Sequence, residues 1–128
     1  MANATLKGVV SPEITFMNTL KSGTQFKLDT KFSYNVKYSK ELTCQGELSV
    51  EVSAKEYPEE FLLKIKTVGF FTFKEGSDKD LLHVETFKAL FPYARALVSN
   101  VTVNAGLPPI FLPEIDIEGH SIYRIGNN

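Results

Sequence analysis

The side chains that could carry out chemistry are few in this sequence. Cys44 is its only cysteine, and His83 and His120 are its only histidines. Neither histidine has a cysteine or a second histidine at the spacing of a metal or catalytic pair. Cys44 falls on the apolar side of an alternating segment, where no histidine or lysine would lower its pKa, so we expect an unreactive thiol. Because GxSxG, glycine-rich phosphate-loop and paired-carboxylate motifs are also missing, we predict that the protein is not an enzyme.

Four alternate residues near the C-terminus form the one pattern that could hold a metal ion. Glu114, Asp116, Glu118 and His120 would share one face of a strand, where a hard cation could use the carboxylate oxygens. A solvated strand face produces the same alternation. We favour the solvated face and predict no metal and no other cofactor.

The segment from Phe91 to Pro113 has 23 residues and only one charged side chain, Arg95. It is too apolar for a surface helix, whose outward side should carry several charges. Prolines and a glycine interrupt it, so we do not expect it to cross a membrane. Burial on two sides explains such a segment best. One side would be the chain's own sheet, and the other a second subunit or an apolar ligand. Arg95 would then pair with an acid across an interface or cap exposed carbonyls, and we favour the pair.

Length, charge and cysteine content restrict the class of protein. A chain of 128 residues is long enough for one domain with its own core, and we predict a single domain over residues 1–128. The formal net charge of −1 offers no basic field for nucleic acid or an anionic membrane. A single cysteine fits a reducing compartment, and no signal peptide is recognisable. We therefore predict a cytoplasmic protein without nucleic-acid or membrane partners.

Period-two alternation of apolar and polar residues predicts four strands, at residues 9–20, 26–38, 42–54 and 61–74. The pattern of residues 1–8 is weak, and we expect them to fray. In the fourth strand, Val68 and Phe70 place apolar side chains on the side that is polar in its first half. Either Gly69 marks a bulge that shifts the phase, or the second half of this strand is covered on both faces.

Helical periodicity follows the fourth strand. Ser77 is predicted as the N-cap of the first helix. Pro92 is expected to kink or break it, and a second helix should then run to about Asn104, with Gly106 as its stop. The tail beyond Pro113 is predicted to be a short strand or coil. Four strands followed by helices, without alternation between the two, indicate an α+β fold with an antiparallel sheet.

Two strings in the uncharged segment resemble the signature of a known family. LFPYAR at residues 90–95 and GLPPIFLP at residues 106–113 are similar to the SecB family of protein-export chaperones. The resemblance implies a four-stranded sheet of Greek-key-like order with helices packed on one face. It also implies a homodimer or dimer of dimers, and apolar grooves that bind unfolded polypeptide. Export SecB proteins are acidic and carry a second C-terminal helix. This chain is nearly neutral, and we expect that helix to be absent or vestigial, which puts contact with the export motor ATPase in question.

The resemblance and the excess of apolar residues select two sets of candidate site residues. The set predicted to bind peptide comprises two residues of the fourth strand and the loop after the helix: Phe70, Phe71, Leu107, Pro108, Ile110, Phe111 and Leu112. The set predicted to form an oligomer interface lies on the uncharged helix: Phe91, Tyr93, Ala94, Arg95, Leu97, Val98 and Val101.

Two functions of different kinds are consistent with these features. The first is an ATP-independent SecB-like chaperone or adaptor that binds extended apolar segments of unfolded or partly folded proteins. The alternative is an oligomeric structural or interaction module of the same fold, whose apolar surface is used up in oligomerisation and which holds no client. A binder of small apolar ligands or an unrecognised enzyme has no residue pattern to support it.

Overall fold

The structure, a computed structural model, describes residues 3–112. This part of the chain contains four strands and one long helix. The strands form one antiparallel sheet in the order β1-β4-β3-β2. Consecutive strands β2, β3 and β4 are neighbours, and β1 lies beside β4, which is a Greek-key order. The predicted α+β fold is confirmed. The elements are β1 Ala4–Asn18, β2 Leu28–Ser39, β3 Thr43–Ala54, β4 Phe61–Phe73 and α1 Lys79–Asn104.

The helix packs on one face of the sheet, here called the inner face; the opposite face is the outer face. Inward positions of β3 and β4 are apolar, as the alternation predicts, and they meet one side of α1. Each large apolar side chain that is fully buried in this way contributes about 1.5–3 kcal/mol. The main buried cluster comprises Leu48, Val50, Val52, Leu63, Ile65, Phe87, Leu90, Phe91, Ala94, Val98 and Leu112.

Strand β1 begins at Ala4, so the prediction that residues 1–8 fray is wrong for residues 4–8. The carboxylate of Glu85, on α1, accepts hydrogen bonds from the backbone N–H groups of Asn3 at 2.7 Å and Ala4 at 3.3 Å. The following residues pair with the end of β4. The start of β1 is therefore held by elements distant in sequence, which its own weak pattern could not reveal.

Gly69 does not mark a bulge in β4, because β4 pairs with β3 in unbroken register across it. The register irregularities lie in the neighbouring strand, β1. A glycine is needed here because α1 comes close: a Cβ would lie 2.9 Å from Leu90 Cδ1 and 2.9 Å from Phe71 Cε1. On the outer face, Val68 is buried but Phe70 is 37% exposed, so the described protomer covers this face only in part.

Helix α1 continues through Pro92, so of the two predicted outcomes, a kink or a break, the break is wrong. A proline in a helix interior costs about 3 kcal/mol. Pro92 is itself exposed, whereas Leu90, Phe91 and Ala94 on either side of it are buried against the sheet. Burial of both flanking turns offsets the cost and keeps the helix in one piece.

The two ends of α1 have identifiable caps. Asp78, not the predicted Ser77, is the N-cap, and its Oδ1 accepts a hydrogen bond from Asp80 N–H at 2.9 Å. The Ser77 hydroxyl instead donates to the carbonyl of Lys74 at 2.6 Å. At the other end the helix stops at Asn104 and Gly106 has φ +84°, which confirms the predicted end.

Tyr34 links β2 to the middle of the fold. Its hydroxyl lies 2.5 Å from Thr86 Oγ1 on α1. The same oxygen covers Gly46, where a Cβ would overlap it. Burial raises the pKa of Tyr34 from 10.0 to about 12, against the opposing effect of the hydrogen bond with Thr86.

The raised pKa of Tyr34 predicts a loss of stability at alkaline pH. The unfolded chain, with the ordinary pKa, releases this proton before the folded protein does. The contribution of Tyr34 is therefore intact below pH 10 and falls as the pH rises from about 10 to about 12. We expect the free energy of unfolding, measured by urea denaturation, to fall less steeply with pH between 10 and about 12 in Tyr34→Phe than in the wild type. Equal slopes for the two proteins would contradict the prediction.

Candidate functional site

A cleft opens at the end of the sheet where β1 ends and β4 begins. It encloses about 430 Å³ between the β1–β2 connection, residues 19–27, and the post-helix loop, residues 105–112. Lys21 is the one charged side chain among the described residues that line it. The lining comprises Asn18, Leu20, Lys21, Ser22, Gly23, Thr24, Phe26, Leu28, Phe61, Leu107, Pro108, Pro109 and Ile110.

Phe61, the first residue of β4, forms the floor of the cleft. Its ring centroid lies 4.9 Å from that of Phe26 and 5.4 Å from that of Phe16, the latter edge to face. Only 2% of Phe61 is exposed. The floor is therefore an aromatic cluster fixed by residues from three segments.

The β1–β2 connection forms one wall because β1 and β2 occupy opposite edges of the sheet, so the chain must cross its end. The crossing begins with a hydrogen bond from Leu20 N–H to Asn18 Oδ1 at 3.0 Å. Gly23, at φ +87°, turns the chain. This arrangement places Leu20 and Phe26, on either side of a polar turn, in the lining of one cleft.

The post-helix loop forms the opposite wall. Leu107, Pro108 and Ile110 line the cleft. Burial then alternates along the chain, because Phe111 is 66% exposed and Leu112 is buried in the core. Three successive side chains of the loop thus lie in different places: Ile110 lines the cleft, Phe111 lies on the opposite surface, and Leu112 packs in the core.

The predicted peptide-binding residues do not form one site. Three of the seven, Leu107, Pro108 and Ile110, lie together in the cleft. Phe111 borders a separate cavity beside α1. The remaining members lie elsewhere: Phe71 and Leu112 belong to the core, and Phe70 lies on the outer face, at the far end of β4 from Phe61.

Sequence reasoning missed Leu20, Phe26, Leu28 and Phe61, which supply most of the apolar surface opposite the loop. The sequence predicts Leu20 as the end of the first strand and Phe26 as the start of the second, whereas both lie in the β1–β2 connection. One signal could have identified them: two large apolar residues that flank a short polar turn in a crossing segment.

The predicted interface residues also divide between two sides of α1. Phe91, Ala94 and Val98 are buried against the protomer's own sheet, and Leu97 and Val101 are half-buried. Tyr93 and Arg95 are exposed. The uncharged surface that remains open on the helix, here called the outer helix face, comprises Pro92, Tyr93, Ala96, Asn100 and Val103.

The groups with shifted pKa values among the described residues lie away from the cleft. Burial raises the pKa of the Cys44 thiol, which agrees with the predicted packed and unreactive cysteine. On the outer face, a hydrogen bond from Lys37, 3.1 Å away, lowers the pKa of the Glu47 carboxyl, and Lys66 adds to the effect. The cleft, which is lined largely by apolar side chains, can bind apolar groups.

Within residues 3–112 no three side chains of histidine, cysteine, aspartate or glutamate are grouped to hold a metal ion. The alternating set Glu114, Asp116, Glu118 and His120 lies outside the described residues. His83 packs edge-on against Tyr34, with 5.1 Å between ring centroids. Over the described range, no helix has the length and apolar character needed to span a membrane.

Comparison with known proteins agrees with this architecture. Residues 9–125 match the family model for preprotein translocase subunit SecB. Among individual relatives, a 60-residue segment is 40% identical to an uncharacterized protein of Methanocaldococcus jannaschii, covering 44% of this chain and 39% of that protein. A 76-residue segment is 42% identical to the protein-export protein SecB of Chromobacterium violaceum, covering 56% of this chain and 50% of that protein. The matched segments thus span about half or less of the length of these relatives.

A solved structure shows the same fold. It is a Mycobacterium tuberculosis SecB-like chaperone in complex with a ChAD peptide from an antitoxin. The TM-score is 0.71 at 17% sequence identity, with coverage of 88% of this chain and 91% of that one. The four-stranded Greek-key sheet, the single described helix and the family match over residues 9–125 lead to one conclusion. The chain belongs to the SecB family.

Proposed function

We propose that this protein is an ATP-independent chaperone or adaptor that binds extended apolar segments of unfolded or partly folded proteins in the cleft. The observation that carries the proposal is the lining of the cleft, which is largely apolar and has Lys21 as its one charged side chain among the described residues. Membership of the SecB family supports it. The structural neighbour, which holds a peptide from a protein partner, supports it as well. We further propose a cytoplasmic, non-enzymatic protein that needs no cofactor.

The affinity of such a site would come from burial of apolar surface, at about 25 cal/mol per Å². Two features reduce the cost of binding. The Phe61 floor is already packed, and Pro108 and Pro109 restrict the backbone of one wall. A preformed site loses little conformational entropy when a client binds. Because no step in this account consumes energy, a nucleotide is not required.

The outer helix face favours self-association. Its five residues are exposed and uncharged, Arg95 borders it, and Phe111 extends it at one end. Apolar surface of this kind usually marks an interaction site. We propose that it forms a homodimer or a dimer of dimers. If the cleft were also closed in the oligomer, the protein would be the alternative, a structural module without a client.

Binding of an apolar dye such as ANS to the folded oligomer separates the chaperone from the structural module. We expect enhanced fluorescence in native buffer and suppression of the aggregation of a heat-denatured test protein. A folded oligomer that neither binds the dye nor suppresses aggregation would favour the structural module.

Leu107→Asp is expected to weaken client binding at least tenfold, because a carboxylate in an apolar cleft must be desolvated when a client covers it. Phe111→Asp, in the same loop, is the matched control. Its side chain borders the helix rather than the cleft, so client affinity per folded protomer should change little, even where the charge weakens the proposed oligomer. Affinity would be measured by fluorescence anisotropy with a reduced and carboxymethylated protein as the client. An effect of Phe111→Asp as large as that of Leu107→Asp would place the binding surface elsewhere.

A further inference from the structure

Residues 107–110, the part of the post-helix loop that lines the cleft, are attached to α1 at both ends by one residue, Thr102. Leu107 N–H donates to the Thr102 carbonyl at 3.0 Å. Ile110 N–H donates to Thr102 Oγ1 at 3.1 Å. Pro108 and Pro109, between them, have no N–H group to donate. Both backbone donors of the segment that lines the cleft are therefore bound to the same threonine.

A second hydroxyl completes the attachment. The carbonyl of Ile110 accepts a hydrogen bond from Ser99 Oγ at 2.8 Å, so α1 side chains bind both backbone polar groups of Ile110. This fixes the backbone at the point where the chain directs Ile110 to the cleft, Phe111 to the opposite surface and Leu112 to the core.

The hydroxyl of Thr102 is both donor and acceptor. Thr102 is fully buried, and Oγ1 lies 3.0 Å from the carbonyl oxygens of both Val98 and Ser99, to one of which it donates while accepting from Ile110. Bonding of a threonine hydroxyl to its own helix is common and needs no loop. The bond from Ile110 does need the loop. A valine has the same shape but can make neither bond, whereas a serine can make both.

We propose that Thr102 and Ser99 are positioning residues for client binding, which hold the Ile110 wall of the cleft at a fixed distance from the Phe61 floor. This inference rests on the proposed function of the cleft. Neither hydroxyl lines the cleft, so neither is expected to touch the client. Their effect is preorganisation: a wall already fixed in its bound position does not have to be ordered when the client binds. Without the Thr102 hydroxyl, residues 110–112, the described part of the segment after the two prolines, lose the N–H hydrogen bond that Ile110 makes to the helix.

The experiment compares Thr102→Val with Thr102→Ser, and uses Thr86→Val as a matched control. Thr86 is also fully buried on α1, donates to the carbonyl of Leu82 at 2.7 Å and has one tertiary partner, Tyr34. It lies 16 residues, or roughly 24 Å, along the helix from Thr102. Both valine variants should lose stability because each removes a buried hydroxyl, but only Thr102→Val removes the hydrogen bond to the post-helix loop.

We expect the Kd for the reduced and carboxymethylated client to rise about tenfold in Thr102→Val, which corresponds to one hydrogen bond together with the ordering of the wall. Thr102→Ser should restore wild-type affinity, and Thr86→Val should bind as the wild type does at a temperature where every variant is folded. Hydrogen exchange at the Ile110 amide should quicken in Thr102→Val alone. Ser99→Ala tests the second bond without a buried substitution, and its Kd should rise about threefold.

Three results would overturn the inference. Wild-type affinity in both Thr102→Val and Ser99→Ala would show that the wall needs no tether. Equal losses in Thr86→Val and Thr102→Val would assign the effect to general stability. Unchanged hydrogen exchange at the Ile110 amide in Thr102→Val would show that the hydrogen bond to Thr102 does not hold the loop. If the wild-type protein binds no client, the proposed function fails and the inference fails with it. That result is distinguishable, because the exchange difference at Ile110 would still be observed.

Discussion

Ala94→Arg is expected to abolish folding of the protomer, whereas Ala96→Arg should leave the fold intact and break the oligomer. The two alanines are one half-turn apart on α1. Ala94 is fully buried against the inner face of the sheet, and Ala96 lies on the outer helix face. An arginine at residue 94 would bury an unpaired charge, at a cost comparable to the whole stability of a small domain, about 5–15 kcal/mol. At residue 96 the same side chain reaches water in the protomer and meets apolar surface only in an assembly.

The measurements are far-UV circular dichroism and sedimentation velocity at micromolar concentration. Ala94→Arg should be unfolded or insoluble. Ala96→Arg should keep the wild-type spectrum, while its mass falls by at least a factor of two towards the protomer mass of 14.3 kDa. A wild-type protein that sediments only at the protomer mass would contradict the proposed oligomer. An Ala96→Arg protein of unchanged mass would exclude the outer helix face as the interface.

Phe61→Ala is expected to lower the free energy of unfolding by about 3–5 kcal/mol and to abolish detectable client binding. The stability loss follows from the cavity left beneath Phe16 and Phe26, whose rings pack on that of Phe61. The binding loss follows because Phe61 is the floor of the cleft. Without it, Leu20 and the post-helix loop face an enlarged space that a bound side chain cannot fill.

Phe71→Ala is the matched control, since it removes the same ring from the same strand and the same face. Phe71 is as buried as Phe61, but it lies at the other end of β4, away from the cleft. Urea unfolding should show similar losses of stability for the two variants. Client anisotropy, measured where both are folded, should show a loss of binding in Phe61→Ala only. If Phe71→Ala weakened client binding equally, binding would depend on stability and not on the cleft.

The antiparallel sheet and the end of the helix could be predicted because they depend on local patterns. Alternation over β2, β3 and β4 identifies the inward side chains, since successive residues of a strand point to opposite faces. Gly106 marks the end of α1 because a left-handed residue there suits glycine. Cys44 was placed on the inward side of β3 by the same alternation, and it is buried there.

Predictions failed where a partner distant in sequence decided the outcome. The start of β1 depends on Glu85, and the continuity of α1 through Pro92 depends on burial of the flanking turns against the sheet. Local signals favoured fraying and a break, because propensity does not include tertiary contacts. The N-cap is an exception, because its cause is local: the Ser77 hydroxyl is bound to the Lys74 carbonyl, and Asp78 caps the helix instead.

The composition of the uncharged segment predicts burial of its apolar residues on two sides. Burial against the chain's own sheet is confirmed by Phe91, Ala94 and Val98, and burial of the other side stays a prediction. Composition alone could not show which of these apolar residues lie on which side of α1. Ala94 and Ala96 have the same side chain, and only the rotation of α1 on the sheet makes one of them core and the other surface. Phe70 and Phe71 are neighbours in sequence, yet the pleat sends them to opposite faces.

The cleft itself was decided by tertiary structure. Its floor, Phe61, and its two walls come from three segments that are separate in sequence and meet only because the Greek-key order sends the β1–β2 connection across the end of the sheet. The sequence by itself determined the family, the strand faces and an apolar loop stiffened by Pro108 and Pro109. Which of these apolar side chains share one surface depends on sheet topology and helix rotation, and neither is encoded in the periodicity of any single segment.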